Sequence, residues 1–144
     1  MGTMGKKSIK ELCAKDIMVR RVLTVDEDST LALAKLKMLR SAVGGLVVLN
    51  REGEMVGMIT LRDISLVGET CLEIPVKELM SRNPVTISED TDVAEIARIM
   101  METGYQRLPV VRGGRLVGLV TQSSVIRVVA EWEGGDEKLE GSTN

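Results

Sequence analysis

The chain has 144 residues, 44% of them hydrophobic, with a net charge of −2, two cysteines, no histidine and no phenylalanine. That is length for one ordinary folded domain, and the near-neutral charge supplies no global field for nucleic acid or an anionic membrane. Without histidine, hydrolase and zinc-enzyme chemistry lacks its usual neutral-pH base, nucleophile partner and commonest metal ligand.

Residues 1–8 are expected to be a flexible start. Ile9, Leu12, Cys13 and Ile17 then fall at helical spacing and predict a short amphipathic lead-in helix. Val22–Val25 reads as a brief strand. Asp28-Ser29 offers an N-cap for a helix from Thr30 to about Ala42, with Leu31, Ala34, Met38 and Leu39 as its apolar face and Gly44-Gly45 as its stop. Leu46–Asn50 and Met55–Thr60 form a hairpin around the Arg51–Glu54 turn, and a helix over Leu61–Val67 stops at Gly68. A connector over 69–75 leads to a second lead-in helix, Val76–Met80. The same order follows: a strand at Val85–Ile87, a helix Asp92–Glu102 capped by Asp90 or Thr91 and ended by Gly104, strands Leu108–Arg112 and Arg115–Thr121 around Gly113-Gly114, and a helix from Gln122 to about Trp132. Residues 133–144 are polar and glycine-rich and read as a disordered acidic tail.

The order recurs because the sequence does. At a constant offset of 62, Lys15, Met18, Arg20, Thr24, Glu27, Asp28, Met38, Leu46 and Val48 meet identical residues, and after one deletion in the hairpin turn Gly57 and Thr60 meet Gly118 and Thr121. The chain is therefore two half-modules, 9–68 and 76–132, each β-α-β-β-α, in an α/β (α+β) fold expected to pack by pseudo-two-fold symmetry. Cys13 and Cys71 form no C-x-x-C pair and predict free thiols in the cytoplasm. No apolar run approaches the roughly 18 residues a membrane span needs. Tyr105 and Trp132 are the lone aromatics, so stacking platforms for single-stranded nucleic acid are missing and no nucleic-acid partner is expected.

Asp16-Ile17-Met18 and Glu78-Leu79-Met80 opening each unit, Gln106-Arg107-Leu108-Pro109-Val110-Val111 on a middle strand and Gly57-Met-Ile-Thr60-Leu-Arg-Asp63 closing the first unit resemble a tandem pair of CBS domains, named for cystathionine β-synthase. The resemblance covers roughly residues 9 to 130. It implies a Bateman module whose two clefts bind AMP, ADP, ATP or S-adenosylmethionine as a regulatory ligand, with no required cofactor, no metal and no catalysis. It also implies a homodimer. A protein partner acting in trans is implied by a module of this kind with nothing fused to it.

Thr60, ending a strand at a helix start, suits a phosphate near backbone N–H groups, and Asp63 one turn on suits a ribose diol; the same residues could equally be an N-cap and its first-turn acid. The second unit carries Thr121 and Ser124 at these places, and losing the carboxylate there predicts a second site weaker by about 1.5–3 kcal/mol, roughly ten- to a hundredfold. The resemblance assigns the base to Thr24, Val25, Gly45, Leu46 and Val47 in the first unit and to Thr86, Ile87, Tyr105, Leu108 and Pro109 in the second, with core packing the competing role for Leu46, Val47 and Leu108. Arg107, whose counterpart is Gly45, is the candidate phosphate arm, and Arg62 a lesser one. The competing reading of the whole is a dimerisation scaffold whose clefts hold nothing.

Overall fold

The computed structural model describes residues 8–135. Helices α1 (Ala14–Ile17), α2 (Leu31–Ser41), α3 (Leu61–Val67), α4 (Val93–Thr103) and α5 (Gln122–Gly135) alternate with strands β1 (Thr24–Asp26), β2 (Gly45–Leu49), β3 (Met55–Thr60), β4 (Ser81–Arg82), β5 (Arg107–Arg112) and β6 (Arg115–Thr121). The α+β class is as expected. Neither lead-in segment is one helix: the first is a 3-10 turn at Ile9–Glu11, an extended step at Leu12–Cys13, and the single turn α1; the second is a 3-10 turn at Val76–Glu78. Segments this short lack the length to propagate a helix and take the shape that their sheet contacts impose.

The chain divides into two compact units, and the division cuts across the repeat. Among the described residues one unit holds Arg21–Val85 with Arg112–Leu116; the other holds 8–20, Thr86–Val111 and 117–135. Each lead-in segment thus belongs to the unit built on the opposite repeat.

In the first of these units the sheet order is β1-β2-β3-β4. β1 runs parallel to β2 with Val25 beside Val48, β2 antiparallel to β3 with Leu46 beside Ile59, and β4 closes the edge with Gly57 beside Arg82 and Met58 beside Ser81. One face buries Val25, Leu46, Val48 and Ile59 against Leu31, Ala34 and Met38 of α2, Ile64 of α3, and Val76 and Met80 of the second lead-in. In the other unit β5 pairs with β6, flanked by bridges Ile87–Val110 (parallel) and Val19–Leu119 (antiparallel), which are the same positions one repeat on.

The contacts that seat the two lead-ins are likewise duplicates. Val76 N–H donates to Ser29 O (2.7 Å) and Lys77 N–H to Glu27 O (2.9 Å); Ala14 N–H donates to Thr91 O (2.8 Å) and Lys15 N–H to Glu89 O (3.0 Å). Lys77 pairs with Asp28 at 2.8 Å and Lys15 with Asp90 at 3.3 Å. These exposed pairs fix register more than they add stability, and the neighbouring ammonium of Lys77 lowers the Asp28 carboxyl below its usual range. Gly57 and Gly118 admit the methionines: a Cβ on Gly57 would sit 2.6 Å from Ser81 O and 2.7 Å from Met80 Sδ, and one on Gly118 would strike Met18.

Several boundaries differ from expectation. The cap of α2 is Thr30, whose hydroxyl accepts from Leu33 N–H at 3.1 Å, and that of α4 is Asp92, accepting from Glu95 N–H at 2.8 Å. Asp28 is instead committed to Lys77. Leu39 is exposed rather than part of the buried face of α2. The first strand starts at Thr24, since Val22 has no ladder partner among the named strands. α5 runs to Gly135, three residues into the predicted tail; the rest of that tail and residues 1–7 lie outside the described residues. Cys13 and Cys71 carry free thiols. α2 ends at Ala42, which holds a left-handed φ of 55° where the second repeat has Gly104 at 79°, so Gly44-Gly45 is not the stop. Because an alanine Cβ crowds the next carbonyl in that conformation, Ala42→Gly is expected to raise stability by about 0.5–1 kcal/mol, read as a higher urea midpoint with unchanged slope.

Candidate functional site

Strand alternation divides the selected residues between two faces. Residues opposite one another in a sheet share a face, so Thr24, Val47 and Met58 line one side with Gly45 and Thr60, while Val25, Leu46 and Ile59 line the other. The second side is the helix-covered core. Val25 and Leu46, assigned to the base above, are core residues there, at 2% and 1% exposure. In the other unit the same alternation puts Arg107 and Pro109 on one side of β5 and Leu108 and Val110 on the other, with Leu108 fully buried. Ile87, bridged to Val110, is a buried residue of the same kind. Met58, which the residue pattern did not single out, shares its face with Thr24 and Val47.

Thr60 sits where β3 turns into α3. Its backbone N–H donates to Asp63 Oδ2 at 3.0 Å, and Asp63 N–H donates to Thr60 Oγ1 at 3.1 Å, a reciprocal cap. Leu61 N–H donates to Gly44 O at 2.9 Å. Two of the first donors of α3 are therefore spent internally, and the phosphate role expected for this short helix start loses its basis. The carboxylate keeps capacity, because one bond leaves its second oxygen and further lone pairs open. Both Thr60 and Asp63 are partly exposed, and Arg62 points outward.

The second repeat reproduces this junction with one change. Gln122 N–H donates to Gln106 O at 2.8 Å, and Ser124 N–H donates to Thr121 Oγ1 at 3.1 Å. Ser124 Oγ lies 3.0 Å from Thr121 Oγ1, and the serine is 3% exposed. Where Asp63 offers a partly open carboxylate, Ser124 offers a buried hydroxyl already engaged. Thr86 is half-buried, Arg107 half-buried and Tyr105 exposed at the end of the turn before β5.

Lys37 is a further residue the sequence reading missed. Its Nζ donates to the Thr24 carbonyl at 2.8 Å, from a partly buried position on α2. The signal was there: the second repeat has Ile99 at this place. A cleft of about 540 Å³ also opens along the β3–β4 edge, lined by Met55, Val56, Arg82, Asn83 and Pro84, none of which the residue pattern selected. Asn83 holds a left-handed φ of 53°, and Arg82 is pinned by a bond to Lys77 O at 3.0 Å. Among the described residues no group of three or more Cys, Asp or Glu is placed to hold a metal ion.

A family model for the CBS domain matches residues 14–67 and 76–131. A CBS domain-containing protein of Dictyostelium discoideum is 32% identical over 130 residues, covering 81% of this chain and 90% of that protein. The crystal structure of CBSX2 in complex with AMP superposes with a TM-score of 0.74 at 26% identity, covering 83% of this chain and 97% of the other. The CBS domain pair of MJ0100, solved with 5-methylthioadenosine and S-adenosyl-L-methionine, gives 0.75 at 26%, covering 83% and 96%. Three archaeal proteins match at 29% to 31% identity, and the chain spans 34% and 43% of the length of two from Methanocaldococcus jannaschii and 64% of one from Methanopyrus kandleri. With both repeats matched, the fold shared and a relative alike over nearly its whole length, the chain belongs to the CBS domain family.

Proposed function

We propose that this chain is a regulatory, non-catalytic module that takes up an adenosine-containing ligand and passes the occupancy on through its dimer to a protein partner, in the cytoplasm. The observation that carries the reading is the Thr60–Asp63 junction, where a partly open carboxylate stands at the end of the face formed by Thr24, Gly45, Val47 and Met58. The carboxylate accepts from a ribose diol while the aliphatic face covers the base. In the other unit Thr86, Arg107 as a phosphate arm, Pro109, Tyr105, Thr121 and Ser124 make a second, weaker site of this proposal. Structural relatives solved with AMP and with S-adenosyl-L-methionine support the ligand class. No described helix is long and apolar enough to cross a membrane.

Calorimetry with AMP, ADP, ATP, S-adenosylmethionine and methylthioadenosine, with GMP as the control, tests it. A ligand at about 100 times its dissociation constant adds about 2.7 kcal/mol and raises the melting temperature by several degrees. One strong site and one weaker site are expected for a selective adenosine ligand. Absence of binding by all of them leaves the dimerisation scaffold, which the engaged Ser124 hydroxyl favours.

A further inference from the structure

We infer that Lys37 is a positioning residue of the first site: it pins the edge strand β1 from the far side of the sheet and so fixes the Thr24 end of the ligand face. The inference deepens the proposed function and rests on it. In the sheet order β1 is an outermost strand, three residues long, with β2 as its single neighbour. Val47 N–H donates to Leu23 O at 3.4 Å and Glu27 N–H to Leu49 O at 2.9 Å. Alternate residues of a parallel strand serve one neighbour, so Leu23, Val25 and Glu27 turn their backbone groups to β2 and Thr24 turns its carbonyl outward. Such edge groups are ordinarily left to water.

Here the carbonyl is taken by a charge. Helix α2 lies against the face that buries Val25 and Leu46, opposite the Thr24 side chain. From there Lys37 reaches past the sheet edge and places Nζ 2.8 Å from Thr24 O. Among the described residues Lys37 forms no ion pair, and it is half-buried. Holding a long side chain still costs rotamer freedom, which a charge-assisted bond to the carbonyl offsets. The ammonium is thus committed to the backbone of the strand that carries Thr24.

The second repeat lacks both restraints. Ile99 stands at the place of Lys37, and Pro109, at the place of Val47, has no N–H to give. The first strand there shrinks to one bridge, Ile87–Val110, in which Ile87 N–H donates to Pro109 O at 3.0 Å and Ile87 O accepts from Val111 N–H at 2.9 Å. Thr24 is therefore held from both edges of its strand, whereas Thr86 flanks a single bridge with no ammonium on its carbonyl. A base resting on Thr24, Val47 and Met58 meets a seat already ordered, which lowers the ordering cost of binding.

Lys37→Met keeps the aliphatic stem and removes the charge. In the intact chain it is expected to weaken adenosine and AMP alike at the first site, about tenfold by calorimetry. Without ligand it is expected to speed exchange of the Val25 amide about tenfold. Lys37→Arg, which can still donate to the carbonyl, is expected to keep both near the parent values. Unchanged affinity or unchanged exchange in Lys37→Met, or an equal loss in Lys37→Arg, overturns the inference. A loss for AMP that adenosine does not share makes Lys37 a phosphate contact and overturns it too. A parent chain that binds neither compound ends the ligand reading by itself; the pin on β1 then stands if Val25 exchange quickens in Lys37→Met and falls if it does not.

Discussion

Asp63→Asn is expected to weaken binding of an adenosine ligand about 10- to 150-fold, or about 1.5–3 kcal/mol, with little loss of stability. Asparagine keeps an oxygen that can accept from Thr60 N–H, so the cap survives while the charge that strengthens a ribose contact is lost. Asp63→Ala removes both and adds the cost of a lost helix cap, about 0.5–2 kcal/mol. The two variants together separate the ligand role from the capping role. Calorimetry that finds the same affinity in Asp63→Asn as in the parent chain removes Asp63 from the site, and the cleft lined by Met55 and Pro84 becomes the place to look.

Gly57→Ala is expected to destabilise the chain by about 1–3 kcal/mol, because the new methyl group meets the Ser81 carbonyl oxygen at 2.6 Å as well as the Met80 sulfur. A flexible methionine can turn aside, but a backbone carbonyl held in a β-ladder cannot. The strand pair β3–β4 must open, and with it the seat of Val76 and Met80 in the core. At about 2–4 °C per kcal/mol for a domain of this size, the melting temperature falls by several degrees. A thermal melt of Gly57→Ala indistinguishable from the parent would show that β4 is not held this closely.

The residues that proved legible in the sequence were those whose roles are local. Thr60 and Asp63 could be read because a cap spans one helical turn, and α3 and the β2–β3 hairpin emerged because turn and periodicity signals lie within a few residues. That Val25 is a core residue, and that core packing is the role Leu46 takes, was hidden for a related reason. Which face of a strand meets the helices depends on its register with neighbours, and a one-residue difference exchanges the faces. Register also hid Met58, which sits in the run Met55–Ile59 with no polar residue and offers no alternation to read. The partner of each lead-in segment was invisible because the contacts Lys77–Asp28 and Lys15–Asp90 join distant residues by no pattern the chain displays.

Those reciprocal contacts bear on how such a chain can arise. The bonds from Val76 and Lys77 to the first repeat have their copies from Ala14 and Lys15 to the second, with donors and acceptors exchanged between repeats. Two molecules of a one-repeat ancestor, each lending its first turn to the other, would form the same set of bonds as a domain-swapped pair. Joining them end to end changes no bond and makes the exchange independent of concentration. From that point the two halves need no longer match, and a serine in place of an aspartate can settle in one half alone.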